Sequence, residues 1–166
     1  KAGQPVKLHG VDVRIMDEEQ AWHLNRLRMK QNIHIAWDLP QLDLRDRLKE
    51  MVKHVKPYKI TCYVLIGFNS TIEQDLFRLN VLRELGITPF VIPFRDYGNE
   101  RVPTQNERDL ARWANRMWLF KSSSFENYMP RKGFKCGEYL KKPIKTVKDN
   151  GNKRLLRFGM IRIPLS

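Results

Sequence analysis

The sequence predicts an α/β fold: a partial (βα) TIM-type barrel of about four parallel βα units, then a C-terminal helical segment and a basic tail or hairpin. Three observations predict it. Strand-like and helix-like stretches alternate, with strand starts near residues 11, 33, 59 and 87, about 22 to 28 residues apart, which is the length of a strand plus a crossover helix. Capping signals open three of the helical stretches, and Pro57 and Gly86 close two of them. From Arg131 the composition turns strongly basic. The expected organisation is a half (βα) barrel over 1–100, helices packing on it over 101–130, and a basic tail with a β-hairpin over 131–166. Half a barrel leaves two strand edges open, so self-association of the chain is expected.

The first stretch, His9 to Asp17, alternates. Val11, Val13 and Ile15 fall on one side, and Gly10, Asp12, Arg14 and Met16 on the other, so it reads as a strand. Asp17 with Gln20 three residues on reads as a capping box, opening a helix with Ala21, Leu24 and Leu27 inward. Ile33 to Asp38 is a second alternating strand, stopped at Leu39-Pro40. Leu44, Leu48, Met51, Val52 and Val55 recur at helical spacing, and Pro57 ends that helix. Lys59 to Gly67 is the longest apolar run, expected to be a strand buried on both faces.

Ser70-Thr71-Ile72-Glu73 reads as a capping box for a helix over 72–85, stopped by Gly86. Ile87 to Phe94 is the fourth strand; Pro89 and Pro93 make it an edge or a kinked strand. Thr104 and Glu107 cap a helix with Leu110, Trp113, Ala114 and Met117 on one face. Phe120, Phe125, Tyr128 and Met129 continue the apolar theme in a shorter segment. Asn150-Gly151 between Lys141–Asp149 and Lys153–Ile163 is a hairpin signal, with a disordered basic tail as the other reading.

Composition bounds the class. With 166 residues, 42% hydrophobic and 30% charged, the chain has material for one globular core. No apolar run approaches the roughly 20 residues of a membrane span, so no membrane partner is expected. The N-terminus shows no signal-peptide pattern, and two distant cysteines, Cys62 and Cys136, fit a reducing compartment; a cytoplasmic location is expected. The sequon Asn69-Ser70-Thr71 is then read as chance. The start at Lys1, just before the strand-forming Pro5-Val6-Lys7-Leu8, reads as a fragment of a longer protein or a trimmed start. Of the net charge of +13, the stretch from Arg131 carries about nine, leaving the body only mildly basic.

In βα architectures ligands sit at the carboxyl ends of the strands. Those ends carry Arg14, Met16 and Asp17, then Asp38, then Gly67, Phe68 and Asn69, then Arg95 and Asp96. Alternation turns Asp12 and Arg14 inward, together with His34, Ala36 and Asp38, and Tyr63, Leu65 and Gly67. Asp12 and Arg14 read equally well as an ion pair or as binding groups. Asp17 and Asp38 read as helix caps or turn residues before ligands, and His34 as a hydrogen-bonded core histidine. His9, His23 and His54 fall at no metal-ligand spacing, and no metal site is assigned. Cys62 reads as inert core and Cys136, in a basic stretch, as the more reactive thiol. No phosphate-binding glycine loop, zinc-protease helix or nucleophile elbow is present.

Four runs in order carry a resemblance: Gly10-Val11-Asp12-Val13-Arg14; Ile33-His34-Ile35-Ala36-Trp37-Asp38; Tyr63-Val64-Leu65-Ile66-Gly67-Phe68; and Leu82-Arg83-Glu84-Leu85-Gly86-Ile87 followed by Pro89-Phe90. Over about residues 5–130 the chain resembles the second half of radical S-adenosylmethionine (SAM) proteins, in particular a bacterial and phage group with a Q-G-x-D-x-R strand. His9 stands where that group has Gln. The resemblance implies a barrel that holds SAM and a [4Fe-4S] cluster, with cluster ligands in a C-x-x-x-C-x-x-C run. This chain lacks that run, so the resemblance places the cluster on an N-terminal half of the same polypeptide and leaves this portion inactive alone. It assigns cofactor binding to Asp12, Arg14, Asp38, Gly67 and Phe68, and leaves the catalytic residues and the substrate open. Two other readings stay beside it: a nucleic-acid-binding module using the basic stretch 131–166, and a fragment of an ordinary (βα) metabolic enzyme.

Overall fold

The structure, a computed structural model, describes residues 3–141. The proposed hairpin around Asn150-Gly151 lies outside the described residues. The elements are α1 (Glu18–Arg26), β1 (Ile33–Ala36), α2 (Arg45–His54), β2 (Ile60–Ile66), α3 (Ile72–Glu84), β3 (Thr88–Pro93), α4 (Gln105–Ala114) and α5 (Met117–Ser122), with short 3-10 turns at Pro57–Lys59, Phe125–Asn127 and Cys136–Leu140. The sheet is three-stranded and parallel in the order β1-β2-β3, with Ile33 beside Ile60 and Thr61 beside Thr88.

The partial barrel of four βα units is therefore corrected to a small open sheet of three strands among the described residues. Two causes are visible, one local and one long-range. The stretch 9–17 forms a turn instead of the first strand. Asp12 accepts the Arg14 backbone N–H at 3.0 Å and the Arg14 guanidinium folds back onto the same carboxylate, a local bond that competes with strand pairing. Its alternation is not realised either, since Val13 is buried while Ile15 is 76% exposed. What remains of strand pairing here is the Val11 N–H donating to the His34 carbonyl at 2.8 Å.

The second cause is at the other edge. The Val91 N–H donates to Asn115 Oδ1 at 2.7 Å, and Asn115 Nδ2 donates to the Val91 carbonyl at 2.9 Å. One side-chain amide thus takes both groups that a further strand would use at this residue, which protects the edge from continued pairing. Pro89 and Pro93 share the outward alternation of Val91, so their missing N–H groups cost no ladder bond. Ile92 lies between them on the β2 side, and beyond it the Phe94 N–H donates inward to Ile66 at 2.9 Å.

Among the described residues, helices cover one face of the sheet only. Ile33, Ile35, Ile60, Cys62, Val64, Ile66 and Val91 are buried against them. On the opposite face Tyr63 and Leu65 are half-buried and Phe90 and Ile92 exposed, so β2 is not buried on both sides as its apolar run implied. An aromatic row crosses that face, with ring centroids 5.4 Å apart for His34 and Tyr63 and 5.1 Å for Tyr63 and Phe90.

The caps follow the sequence closely. Asp17 and Gln20 form the expected box at α1, and Thr104 and Glu107 at α4. At α3 the box is shifted by one residue to Thr71 and Gln74, and Ser70 instead accepts the Gly67 N–H at 3.1 Å. Gly86, at φ +72°, ends α3 in a left-handed turn, with the Ile87 N–H returning to Leu82 at 2.9 Å. The helix expected to run through Met117 breaks at Asn115-Arg116 into α4 and α5. Trp113 is fully buried at their junction, 5.0 Å from Phe120 and 5.6 Å from Phe125 by ring centroids.

Of the basic stretch from Arg131, the part through Lys141 packs onto this junction: the Cys136 N–H donates to Tyr128 at 2.9 Å, and Phe134 lies edge-on to Tyr139. Cys136 is thus fully buried, against the expectation of a reactive thiol, and burial pushes its pKa up to about 12. Burial likewise raises that of Cys62. Both thiols are expected to resist a thiol reagent near neutral pH in the native chain and to react freely in urea; native-state labelling of Cys136 at the unfolded rate would contradict its burial. No helix among the described residues is long and apolar enough to cross a membrane.

Candidate functional site

Folding the 9–14 stretch as a turn beside β1 opens a cavity of about 450 Å³ between that turn and the carboxyl end of β1. Asp12 and Arg14 form one wall, Trp37 to Leu39 the other, and His34, Ala36 and Tyr63 the floor. Three of the five residues assigned to cofactor binding, Asp12, Arg14 and Asp38, therefore meet at one place. They do so although the strand that was to carry two of them does not form.

Asp12 and Arg14 bind each other directly, Nη2 to Oδ2 at 2.5 Å and Nε to Oδ1 at 2.8 Å. Hydrogen bonding from the Arg14 side chain holds the Asp12 carboxyl down at about 2. The pairing is therefore present above the ordinary carboxylate range and is lost as pH falls through about 2. Both side chains remain open to solvent, at 57% for Arg14 and 37% for Asp12, and the pair occupies no bond of Arg14 Nη1 among the described residues. Asp38 is not a helix cap. Its Oδ1 accepts the Leu65 N–H at 3.1 Å, fastening the end of β1 to β2, while Oδ2 carries no bond among the described residues.

The residue that holds this end of the sheet in place was not among the sequence candidates. Arg78 of α3 is fully buried and donates to the backbone carbonyls of Trp37 at 2.5 Å, Asp38 at 3.1 Å and Leu65 at 2.8 Å. It pairs with Asp75 at 2.6 Å, and Asp75 in turn accepts the Gly67 N–H at 3.0 Å. The sequence carried a hint, an Asp-x-x-Arg pair embedded in the apolar face of α3, but the carbonyls it serves lie as far as 41 residues away.

Gly67 and Phe68, the other two assigned residues, stand at the end of β2 outside the cavity. Gly67 has φ +72°, and its carbonyl accepts from Arg101 Nη2 at 2.9 Å. The positive φ favours glycine here, and a Cβ would also displace Glu107 Oε1 and disturb the Arg101–Glu107 pair above it. Its N–H and carbonyl are both engaged within the fold. Phe68 is 36% exposed, its ring 4.7 Å from that of Phe94. At the end of β3, Asp96 closes a turn by accepting from Gly98 and Asn99.

No protein-family model, no curated protein and no solved structure matches the chain. The resemblance to radical SAM proteins thus stands on the four sequence runs and has to be weighed against the site itself. An iron–sulfur cluster does not fit this chain: its ligand run needs three thiolates, and the two cysteines present are buried in separate parts of the core. The cavity is a different matter, since it gathers an accessible guanidinium, a carboxylate oxygen and a half-buried aromatic floor.

Proposed function

We propose that the chain is the C-terminal portion of a radical SAM enzyme, contributing to SAM and substrate binding and inactive without the cluster-bearing part of the polypeptide. The single observation that carries this is the convergence of Asp12, Arg14 and Asp38 on one cavity at the carboxyl end of β1. Open parallel sheets bind ligands there, and these are the residues that the resemblance assigns. In this reading Arg14 Nη1 takes the carboxylate of the methionine part, and Asp38 Oδ2 its ammonium or the ribose hydroxyls. His34 and Tyr63, edge to face with ring centroids 5.4 Å apart, line the floor against which the purine would rest. Bound SAM supplies the 5′-deoxyadenosyl group for radical chemistry; the residues here bind and orient it. The cytoplasm is the matching compartment, where the thiols stay reduced.

Titration of SAM into the chain, followed by calorimetry and amide NMR, tests this. Saturable binding is expected, with shifts centred on 10–14 and 34–38. Asp38→Asn and Arg14→Ala should each weaken it by about tenfold or more, the worth of one charge-assisted hydrogen bond. Both groups are solvent-exposed, so the unfolding transition should move little. Absence of saturable binding, or undiminished binding by both variants, overturns the proposal.

A further inference from the structure

Between α1 and α2, three ligand-type side chains converge that the proposed function does not use. Glu50 and His54 stand one turn apart on α2, and Glu18 is the first residue of α1. His54 Nε2 lies 3.5 Å from Glu18 Oε1 and 3.7 Å from Glu50 Oε1, and the three ligand atoms all lie within 4.8 Å of one another. Nε2 is shielded from solvent and has no hydrogen-bond partner among the described residues. A buried ring nitrogen pointing at two carboxylate oxygens, yet bonded to neither, is an unusual thing to leave unsatisfied.

We propose that Glu18, Glu50 and His54 form a binding site for a divalent transition metal, zinc in the first instance. The spacing is the argument. Ligand atoms about 2.0–2.1 Å from a tetrahedral zinc stand about 3.3 Å from each other. The two observed separations from Nε2 exceed that by only a few tenths of an ångström, which a rotation about the outer torsions of the glutamates removes. Imidazole with two carboxylates is a donor set suited to zinc. Glu18 is 74% exposed on its side chain, so the fourth position faces solvent. Lys53 holds the other oxygen of Glu50, Oε2, at 2.5 Å and leaves Oε1 turned to the site. The site escapes a reading of histidine spacing because two of its ligands are carboxylates and one comes from another helix.

The metal would clamp the first turn of α1 onto α2. That turn follows directly on the Asp12–Arg14 wall of the cavity, and Arg47 of α2 already reaches the Met16 carbonyl there at 3.4 Å. The site does not depend on what the cavity binds.

The test uses the untagged, chelator-treated chain titrated with Co²⁺ and then Zn²⁺. The expected result is a visible d–d absorption of four-coordinate cobalt that saturates at one equivalent, is bleached by Zn²⁺, and accompanies a rise in melting temperature. His54→Gln and Glu18→Gln should each weaken cobalt binding more than about tenfold. Glu18→Gln changes an exposed side chain, so its loss of binding is not a folding failure. A missing cobalt spectrum, or one unaltered in both variants, overturns the proposal and leaves the cluster as an ordinary histidine–carboxylate contact.

Discussion

Arg78→Ala is expected to lower stability by about 3–5 kcal/mol, the range for removing one partner of a buried ion pair. The side chain is fully buried, and Asp75 is 2% exposed, so deletion strands a carboxylate in the core with only the Gly67 N–H and no compensating cation. It also removes the donor from the carbonyls of Trp37, Asp38 and Leu65. Against a total stability of about 5–15 kcal/mol for a domain, that is a large fraction. Urea unfolding should show a marked fall in midpoint at unchanged slope. Arg78→Lys keeps the charge but offers one point donor in place of a fork, and should fall between the two. The loss has a second signature. Since Arg78 holds the backbone at Trp37 and Asp38, amide exchange at the end of β1 should rise in Arg78→Lys under conditions where α4 stays protected. A midpoint shift worth less than about 1 kcal/mol would show that the network contributes geometry and little energy.

The contrast between Arg78 and Asp12 explains what the sequence could and could not disclose. Helix ends are local: Asp17 with Gln20, Thr104 with Glu107, Pro57 and Gly86 each act within a few residues, and each lies where the pattern put it. The facing of β1 and β2 was also legible, because helices cover one side and the 2-residue period then fixes which side chains share the other. The first strand was not. Its alternation is present in the residues, but an aspartate two positions before an arginine offers the backbone a turn, and nothing local says which wins.

The remaining misses are long-range. Closure of the β3 edge by Asn115 spans 24 residues and the reach of Arg78 to Trp37 spans 41, distances over which no residue pattern is diagnostic. The cavity survived the loss of its first strand because the turn presents Asp12 and Arg14 to the same end of β1 that a strand would have lain beside.

Asp109→Ala is expected to cost about 2–3 kcal/mol, less than Arg78→Ala although Asp109 is equally buried. Its four partners are the reason. Oδ1 accepts from Gln105 at 3.0 Å and Arg112 at 3.2 Å, and Oδ2 from Arg131 at 3.0 Å and the Tyr139 hydroxyl at 2.8 Å. Arg112 and Arg131 are each more than 40% exposed and can turn to water once the carboxylate is gone. The tyrosine is the partner left worse off, so Tyr139→Phe should cost about 1 kcal/mol and the double variant less than the sum.

The more telling readout is local. Asp109 is the polar tie between α4 and the start of the basic stretch, so its loss should speed tryptic cleavage after Arg131, Lys132 and Lys135 before any change in the sheet. That outcome also bears on the basic charge. Arg131 is bonded to Asp109 and Tyr139 in the native chain, and breaking that tie frees its guanidinium. Unchanged cleavage would instead assign the hold on this segment to buried Cys136 and the Phe134–Tyr139 contact, and Phe134→Ala would then be the variant that releases it.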